Sequence, residues 1–427
     1  MSNSPWIIKP NILLMGQGTE VHLMQREWTG MLSLRIMFTE DMYRETEVNN
    51  GLSYLSSRML LEGSERWSNT QALNLYLEKY AIEAMALPGG LQFTCLKESW
   101  INLLTVIDEL LNRPKLNEER LIKVKRQIQQ ELKSSMDDSD QLAYLKLRKS
   151  VFNSPPGTLL STGTPESILN LTSKQVIEYW GSNLHANGIK LFMVSSMSAT
   201  SVENDLEKVL PTVIKKSTWN HPFPEITTTK QIQKKFVFKD RKKATIALGH
   251  IGIRRWSRDY TTLKLVDQVL GASSGFTSRL AGQLREELGL CYYIYGDVCS
   301  TAGRIPGLFQ IVMGTSPQNV EEAIMQIQLT VGNLLAEGPE LMELEDARSF
   351  LLGSMAFSFE TNNSMLQLMV EKYHYGLDET FLLEERQKLK HVNSEEFHIV
   401  SSTYLDAASL HAVVVGATAP SGWVSET

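Results

Sequence analysis

The strongest constraint on the fold is a weak internal repeat, because a chain that carries one unit twice folds as two similar domains. Residues 104–119 read LTVIDELLNRPKLNEE, and residues 329–344 read LTVGNLLAEGPELMEL. The LTV triplets and the prolines Pro114 and Pro339 are both offset by 225 positions. In each copy an amphipathic helix is predicted to end at the proline, since the residue before a proline disfavours helical geometry. A second long helix is predicted to follow.

The ends of the two copies also correspond. LTSKQVIEYWGSNL leads into an apolar strand at 190–198, and VNSEEFHIVSSTYL leads into another at 411–418. Each copy therefore begins with strands, continues with long helices and ends with a helix and a buried strand. This order favours an α+β fold of two homologous domains, each a mainly antiparallel sheet with helices packed on one face.

The segment 215–233 is predicted to link the two domains, because it has two prolines and a threonine run without apolar periodicity. The division gives an N-terminal domain at residues 1–214 and a C-terminal domain at residues 234–427. Each is long enough to bury a core of its own.

Charge and hydropathy exclude several classes of protein. The chain has 42 Lys and Arg against 48 Asp and Glu, a net charge of −6, so no broad basic face for nucleic acid is expected. No apolar stretch reaches the roughly eighteen residues of a membrane span. The N-terminal MSNSPWIIKPNILLMGQG lacks the basic start and apolar core of a signal peptide. We expect a cytoplasmic protein, or a periplasmic one if a leader was removed.

The histidines and cysteines do not suggest a metal site. Cys95, Cys291 and Cys299 form no CxxC pair and are expected to be small buried or strand residues. No two of the eight histidines are three or four residues apart on a helix, the spacing that puts two zinc ligands on one face. They are His22, His185, His221, His250, His374, His391, His398 and His411. A helix is expected to begin between His391 and His398, with Asn393 or Ser394 as its N-cap.

Residues 271–295, GASSGFTSRLAGQLREELGLCYYIY, carry the second informative motif. An apolar helix face is predicted from Leu280, Leu284 and Leu288, and Gly289 suits a left-handed C-terminal cap. An aromatic strand then follows. Arg285 is expected in the last helical turns and Tyr292 at the start of the strand, so that both side chains can reach one place.

Together these segments resemble the pitrilysin and insulinase-like zinc metallopeptidases, the inverzincins, over roughly residues 12–420. The resemblance implies two homologous domains per chain, with two chains or linked halves enclosing a chamber like a clam shell. The family's catalytic helix carries H-x-x-E-H, in which two histidines and a distant glutamate bind zinc and the motif glutamate activates water.

The stretch GLSYLSSRMLLEGSERW at 51–67 resembles that helix, but its motif positions have changed. Tyr54 and Arg58 replace the two histidine ligands, and Ser57 replaces the general base. Glu131 stands where the third ligand is expected. Because arginine brings a fixed positive charge to a ligand position, we expect no zinc and no cofactor in this chain, and we expect Glu131 to pair with Arg58.

The resemblance also assigns a role to the second motif. Arg285 and Tyr292 match the family's Arg/Tyr pair, which contacts the substrate backbone in the partner's zinc site and supports the developing oxyanion. On spacing alone, Arg285 as a surface residue and Tyr292 as a core aromatic remain alternatives. Ser273, Ser274 and Gly275 fit either a flexible turn or an N-cap. The strand at 307–316 fits either an edge that captures peptides or an interior strand.

The sequence thus predicts a chain that is not a peptidase by itself. We expect the non-catalytic, substrate-binding subunit of a heterodimeric zinc peptidase, whose H-x-x-E-H partner supplies the metal and whose substrates are peptides or small unfolded proteins. The alternatives are a purely structural scaffold subunit and a peptide-binding module without protease activity. A self-sufficient peptidase with an unusual metal is the least favoured.

Overall fold

A computed structural model of the chain describes residues 4–16, 18–27, 30–38, 41–183, 189–210, 225–272, 278–423 and 425–426. These residues form two six-stranded sheets with helices packed against them, so the predicted α+β class is confirmed. No helix of the described chain is long and apolar enough to cross a membrane.

The strands divide between the sheets in chain order. They are β1 Asn11–Leu14, β2 Glu20–Gln25, β3 Met31–Met37, β4 Glu83–Leu87, β5 Gly90–Leu96, β6 Lys190–Ser195, β7 Lys234–Phe238, β8 Ala244–Ile251, β9 Cys291–Asp297, β10 Leu308–Thr315, β11 His411–Gly416 and β12 Ser425–Glu426.

The α-helices fill the segments between these strands, and two π-helical segments, Gln268–Ala272 and Ala281–Glu287, lie between β8 and β9. The helices are α1 Leu52–Leu60, α2 Thr70–Lys79, α3 Trp100–Asn112, α4 Glu118–Asp137, α5 Ser139–Val151, α6 Pro165–Asn170, α7 Ser173–Asn183, α8 Ala199–Leu206, α9 Tyr260–Asp267, α10 Val320–Glu337, α11 Leu341–Ser354, α12 Asn362–Tyr375, α13 Phe381–His391 and α14 Ser394–Tyr404. Short 3₁₀ turns lie at Asp41–Arg44, Lys97–Ser99, Pro317–Asn319 and Met355–Phe359.

Five strands of each sheet have the same topology, as the internal repeat predicts, and the sixth differs: β1 precedes β2 and is antiparallel to it, whereas β12 comes last in the chain and is parallel to β7. The first has the order β1-β2-β6-β3-β5-β4 and the second β12-β7-β11-β8-β10-β9. Within the five shared strands, the first in the chain pairs in parallel with the last, the closing strand, β2 with β6 and β7 with β11. The strands on the other side of the closing strand are antiparallel.

The helix ends also follow the repeat. α3 ends at Asn112, two residues before Pro114, and α10 ends at Glu337, two residues before Pro339. The helix that follows each proline is α4 in the first copy and α11 in the second. These predicted boundaries are confirmed, because the proline geometry that stops a helix acts locally.

The chain forms two compact units that are not continuous in sequence. Unit 1 comprises Met1–Lys133, Leu159–Pro224 and Phe357–Glu379, and unit 2 comprises Ser134–Thr158, Glu225–Ala356 and Thr380–Thr427. Thus α5 belongs to unit 2, although it comes from the first copy, and α12 belongs to unit 1. The predicted linker at 215–233 stays a prediction, because residues 211–224 lie outside the described chain.

Both of these helices, α12 and α5, pack against a sheet of the unit to which they belong. In unit 1, Tyr373 of α12 lies against His22 and Phe192, with ring centroids 5.3 Å apart in both pairs. That face is opposite the main core, to which Leu34 belongs. In unit 2, Leu147 and Val151 of α5 are buried among side chains of the sheet that include Ala247 and Val413.

Candidate functional site

The helix that carries the changed zinc motif is capped by a buried carboxylate. α1 follows Gly51, whose φ of 86° lies in the left-handed region, and a Cβ there would meet Ile168 at 2.7 Å. The carboxylate of Glu45 accepts hydrogen bonds from the backbone N–H of Gly51 at 2.7 Å and of Ser53 at 2.9 Å. Burial raises the pKa of Glu45, and these hydrogen bonds only partly oppose it.

Glu45 was missed by sequence reasoning. It precedes Gly51 by six residues, and the segment between them is neither helix nor strand, so no helical or strand period connects the two. The usual N-cap signal is a Ser, Thr, Asp or Asn immediately before the helix, and the residue at that position is Gly51.

Tyr54, Arg58 and Glu131 meet in one cluster. Arg58 Nη1 lies 2.9 Å from Glu131 Oε2 and 3.0 Å from the Tyr54 hydroxyl, while Arg58 Nη2 lies 3.2 Å from Glu131 Oε1. The guanidinium therefore donates to the carboxylate from two nitrogens, a bidentate geometry that the planar arginine side chain favours. Burial lowers the pKa of Arg58, but the hydrogen bonds that its guanidinium donates to Glu131 and Tyr54 outweigh that effect, so the pKa is raised. The structure contains the ion pair that the sequence analysis expected.

Ser57 lies at the position of the motif glutamate and faces its own helix. Its side chain is fully buried, and its hydroxyl donates to the backbone carbonyl of Ser53 at 3.0 Å. A serine hydroxyl does not take a proton near neutral pH, so this position offers no general base.

These residues do not fit the zinc ion that the family motif holds. Zinc needs neutral imidazole, thiolate or carboxylate donors, whereas Arg58 has no lone pair to offer and is already bonded to Glu131. Among the described residues, no group of three or more His, Cys, Asp and Glu side chains is placed to hold a metal ion. His391 ends α13, and Asn393 caps α14 through the Glu396 N–H at 2.8 Å, so His391 and His398 lie on different helices, as predicted.

The second motif is built from a π-helical segment and an edge strand. Arg285 lies in Ala281–Glu287, Gly289 has a φ of 61°, and Tyr292 is the second residue of β9. The positions predicted for Arg285 and Tyr292 in the secondary structure are therefore correct. Their shared role stays a prediction.

One detail of the predicted helix is wrong. Leu280 and Leu284 are buried, but Leu288 is exposed rather than on the same apolar face. The Leu288 N–H bonds the carbonyl of Gln283, five residues back, at 3.0 Å. A five-residue bond widens the turn, so the three-to-four-residue period used for the prediction does not hold.

Tyr292 sits at an irregularity of the sheet. Cys291 is opposite Thr315 and Tyr293 is opposite Gly314, so Tyr292 is an extra residue, a β-bulge, between them. The residue is 63% exposed, and its hydroxyl lies 3.1 Å from Ser316 Oγ. Bulges bend an edge strand and redirect a side chain, and they are frequent beside active sites.

Arg285 lies near the same strand end. Its Nε is 2.8 Å from Glu286 Oε1. Burial raises the pKa of the Cys291 thiol to about 11, and the nearby Arg285 charge acts against that rise. Since Cys291 directly precedes Tyr292, the Arg285 charge is close to the start of β9. An exposed phenol and a partly exposed guanidinium at one edge can donate hydrogen bonds to a carbonyl-rich ligand.

Two other sequence predictions left alternatives open, and the structure decides between the alternatives for one of them. Ser273, Ser274 and Gly275 lie outside the described residues, so their turn or cap role stays open. The strand predicted at 307–316 is β10, which lies between β8 and β9 and is buried throughout. It is therefore the interior strand, and the neighbouring edge is β9.

Comparisons with known proteins agree with this description. Residues 42–159 match the family model described as "Insulinase (Peptidase family M16)", and residues 170–351 match "Peptidase M16 inactive domain". The chain is 27% identical over 354 residues to "Non-peptidase homolog YmxG" of Helicobacter pylori, covering 80% of each chain. It is 23% identical over 372 residues to "Uncharacterized zinc protease YmxG" of Bacillus subtilis, covering 84% of this chain and 88% of that one.

A solved structure has the same fold over nearly the full length. The peptidase M16 inactive domain from Pseudomonas fluorescens superposes with a TM-score of 0.83 at 20% identity, covering 98% of this chain and 99% of that chain.

Proposed function

The chain belongs to the M16 family of peptidases as an inactive, non-peptidase homologue, and from that premise we propose that it is the non-catalytic subunit of a two-chain zinc peptidase. A separate H-x-x-E-H chain supplies the metal and the general base. This chain supplies half of a chamber wall and the Arg285 and Tyr292 side chains. The substrates are peptides or small unfolded proteins.

The observation that carries the proposal is the contrast between the two motifs. In unit 1, Arg58 and Glu131, the positions to which the resemblance assigns two zinc ligands, form an ion pair with Nη1 and Oε2 2.9 Å apart. In unit 2, Arg285 and Tyr292 keep the family's residue types at an exposed strand end. A chain that has lost its metal ligands while keeping its substrate contacts suits work on another subunit's site.

The chemistry assigned to the pair follows from the two side chains. The Arg285 guanidinium offers several N–H donors in one plane, and the Tyr292 phenol offers a directional O–H. Fixed donors of this kind stabilise an oxyanion that develops during acyl transfer, and removing one typically lowers the rate by about 10²–10³. Binding of the peptide backbone, rather than proton transfer, is the role proposed for both residues.

The test begins with co-purification of the chain and identification of the bound polypeptide. The partner is expected to carry H-x-x-E-H, and the mixture is expected to cleave peptides that neither chain cleaves alone. Arg285→Ala should then lower turnover by about 10²–10³ while the complex still forms on size-exclusion chromatography. Arg258→Ala is the matched control, because that arginine is in the same unit and its side chain is 94% exposed.

Each alternative predicts a different result. A scaffold subunit would form a stable complex that shows no peptidase activity. A peptide-binding module would bind peptides without any H-x-x-E-H partner. Unchanged turnover with Arg285→Ala would remove the proposed substrate role of Arg285 and leave the two-chain peptidase itself standing.

A further inference from the structure

The strand that carries Tyr292 is tied to a helix from the first copy of the repeat. α5 packs against the second sheet, and its N-cap Asp138 accepts from the backbone N–H of Asp140 at 2.8 Å and of Gln141 at 3.1 Å. The carboxylate of Asp140 in turn accepts hydrogen bonds from Thr245 Oγ1 at 3.1 Å and from the Tyr293 hydroxyl. Asp140 thus connects α5, β8 and β9.

Tyr293 reaches Asp140 because a glycine lies under its ring. In the sheet, Gly314 of β10 is paired with Tyr293 on one side and with Thr245 on the other. A Cβ at Gly314 would lie 2.2 Å from the ring, so any other residue would displace it. The ring therefore crosses β10, and the Lys243 ammonium lies 5.2 Å from its centroid.

The hydrogen bond between Tyr293 and Asp140 lies directly beside the bulge. Tyr292 is the extra residue between Cys291 and Tyr293. On one side of the bulge, Thr315 Oγ1 donates to the carbonyl of Leu290 at 2.5 Å. On the other side, Tyr293 is held by Asp140. With both flanks held, the backbone at Tyr292 is held as well, and with it the Cα–Cβ bond from which the exposed side chain starts.

We propose that Asp140 is a positioning residue, which acts through the Tyr293 hydroxyl to hold the β-bulge and so aim Tyr292 at its ligand. The inference rests on the proposed function, because it assigns a purpose to the geometry of Tyr292. Burial and the neighbouring Asp140 raise the pKa of Tyr293, so the phenol stays protonated and keeps donating at physiological pH.

The kinetic test compares three variants of this chain in complex with its H-x-x-E-H partner. Tyr293→Phe removes only the hydroxyl, and Asp140→Ala removes only its acceptor carboxylate. Both are expected to lower kcat about ten-fold to a hundred-fold with KM nearly unchanged, the effect of a slightly misplaced contact. Asn393→Ala removes the N-cap of α14, which lies in the same unit and bonds the Glu396 N–H, so it should lower Tm while leaving kcat unchanged.

A double-mutant cycle separates positioning from general stability. If Asp140 and Tyr293 act through Tyr292, then Tyr293→Phe should cost no further activity in a Tyr292→Phe background. Multiplied losses in the double variant would overturn the inference. So would a normal kcat for Tyr293→Phe together with a strong loss for Tyr292→Phe, an outcome that leaves the proposed function intact.

A second readout needs no activity. 3-Fluorotyrosine placed at position 292 of the full chain is expected to give one sharp ¹⁹F signal, which shifts or splits with Tyr293→Phe and Asp140→Ala but not with Asn393→Ala. An unchanged signal in the first two variants would refute the positioning role. If neither Arg285→Ala nor Tyr292→Phe affects turnover, the proposed function fails, and this spectrum still decides whether Asp140 holds Tyr292.

Discussion

Replacing Tyr54 and Arg58 together by histidine is expected to give the chain a zinc site that its own sequence lacks. The two positions are four residues apart on α1, so their side chains share one face. Arg58 already bonds Glu131, with Nη1 and Oε2 2.9 Å apart, which brings the carboxylate to the same place. Two neutral imidazoles and one carboxylate form a known zinc-binding set with an open fourth position.

The free energies on each side can be worked from the structure. The Arg58 and Glu131 side chains are 23% and 53% exposed, so losing this partly solvated ion pair costs about 0.2–1 kcal/mol. Zinc at a hundred times its Kd stabilises the folded chain by about 2.7 kcal/mol. At roughly 2–4 °C per kcal/mol, the metal-free double variant should melt within a few degrees of the natural chain. Zinc should then raise its Tm by about 5–11 °C.

The assay is metal analysis after gel filtration, together with calorimetry with and without zinc. The natural chain is expected to retain no stoichiometric zinc and to cleave nothing alone. The double variant should retain one equivalent, release it to a chelator, and lose most of its affinity when Glu131→Gln is added. A folded double variant that ignores zinc would refute the assignment of Tyr54, Arg58 and Glu131 as the former ligand positions. One equivalent of tight zinc in the natural chain would refute it equally.

Two further substitutions test buried carboxylates. Burial and the charge of Asp297 raise the pKa of Asp267 to about 8. An unfolded aspartate has a pKa of about 3.9, so between these two pH values the folded chain binds one proton more than the unfolded chain. The free energy of unfolding therefore falls as pH rises through that window. Asp267→Asn should flatten this fall, which calorimetry between pH 5 and pH 9 measures, and parallel Tm curves would contradict it. Glu45→Ala leaves the N–H groups of Gly51 and Ser53 without their carboxylate. It should lower the free energy of unfolding by about 1–3 kcal/mol and speed hydrogen exchange in α1. Glu45→Gln keeps one acceptor oxygen and is the milder control. Unchanged exchange would show that the cap is unimportant.

The predictable part of the candidate site is its chemistry. Residue type alone shows that the side chains of Tyr54, Ser57 and Arg58 are not the two histidine ligands and the general base of the family motif. That all three lie on one helix follows from local periodicity. The Arg58–Glu131 ion pair was predictable only because the family motif pairs these positions, which are 73 residues apart. The exposure of Leu288 was not predictable, because nothing in the local sequence distinguishes a five-residue helical bond from the usual one.

The repeat, the helix ends near Pro114 and Pro339, and the absence of zinc-binding side chains at Tyr54 and Arg58 can be read from the sequence alone. These features depend on backbone propensity and side-chain chemistry, which act within a few residues. Only the tertiary structure decided that α5 joins unit 2 and α12 joins unit 1, and that Tyr293 bonds Asp140 across 153 residues of chain. The pattern of an amphipathic helix predicts which of its faces is buried but not which sheet packs against that face. The second choice depends on the packing of the whole chain.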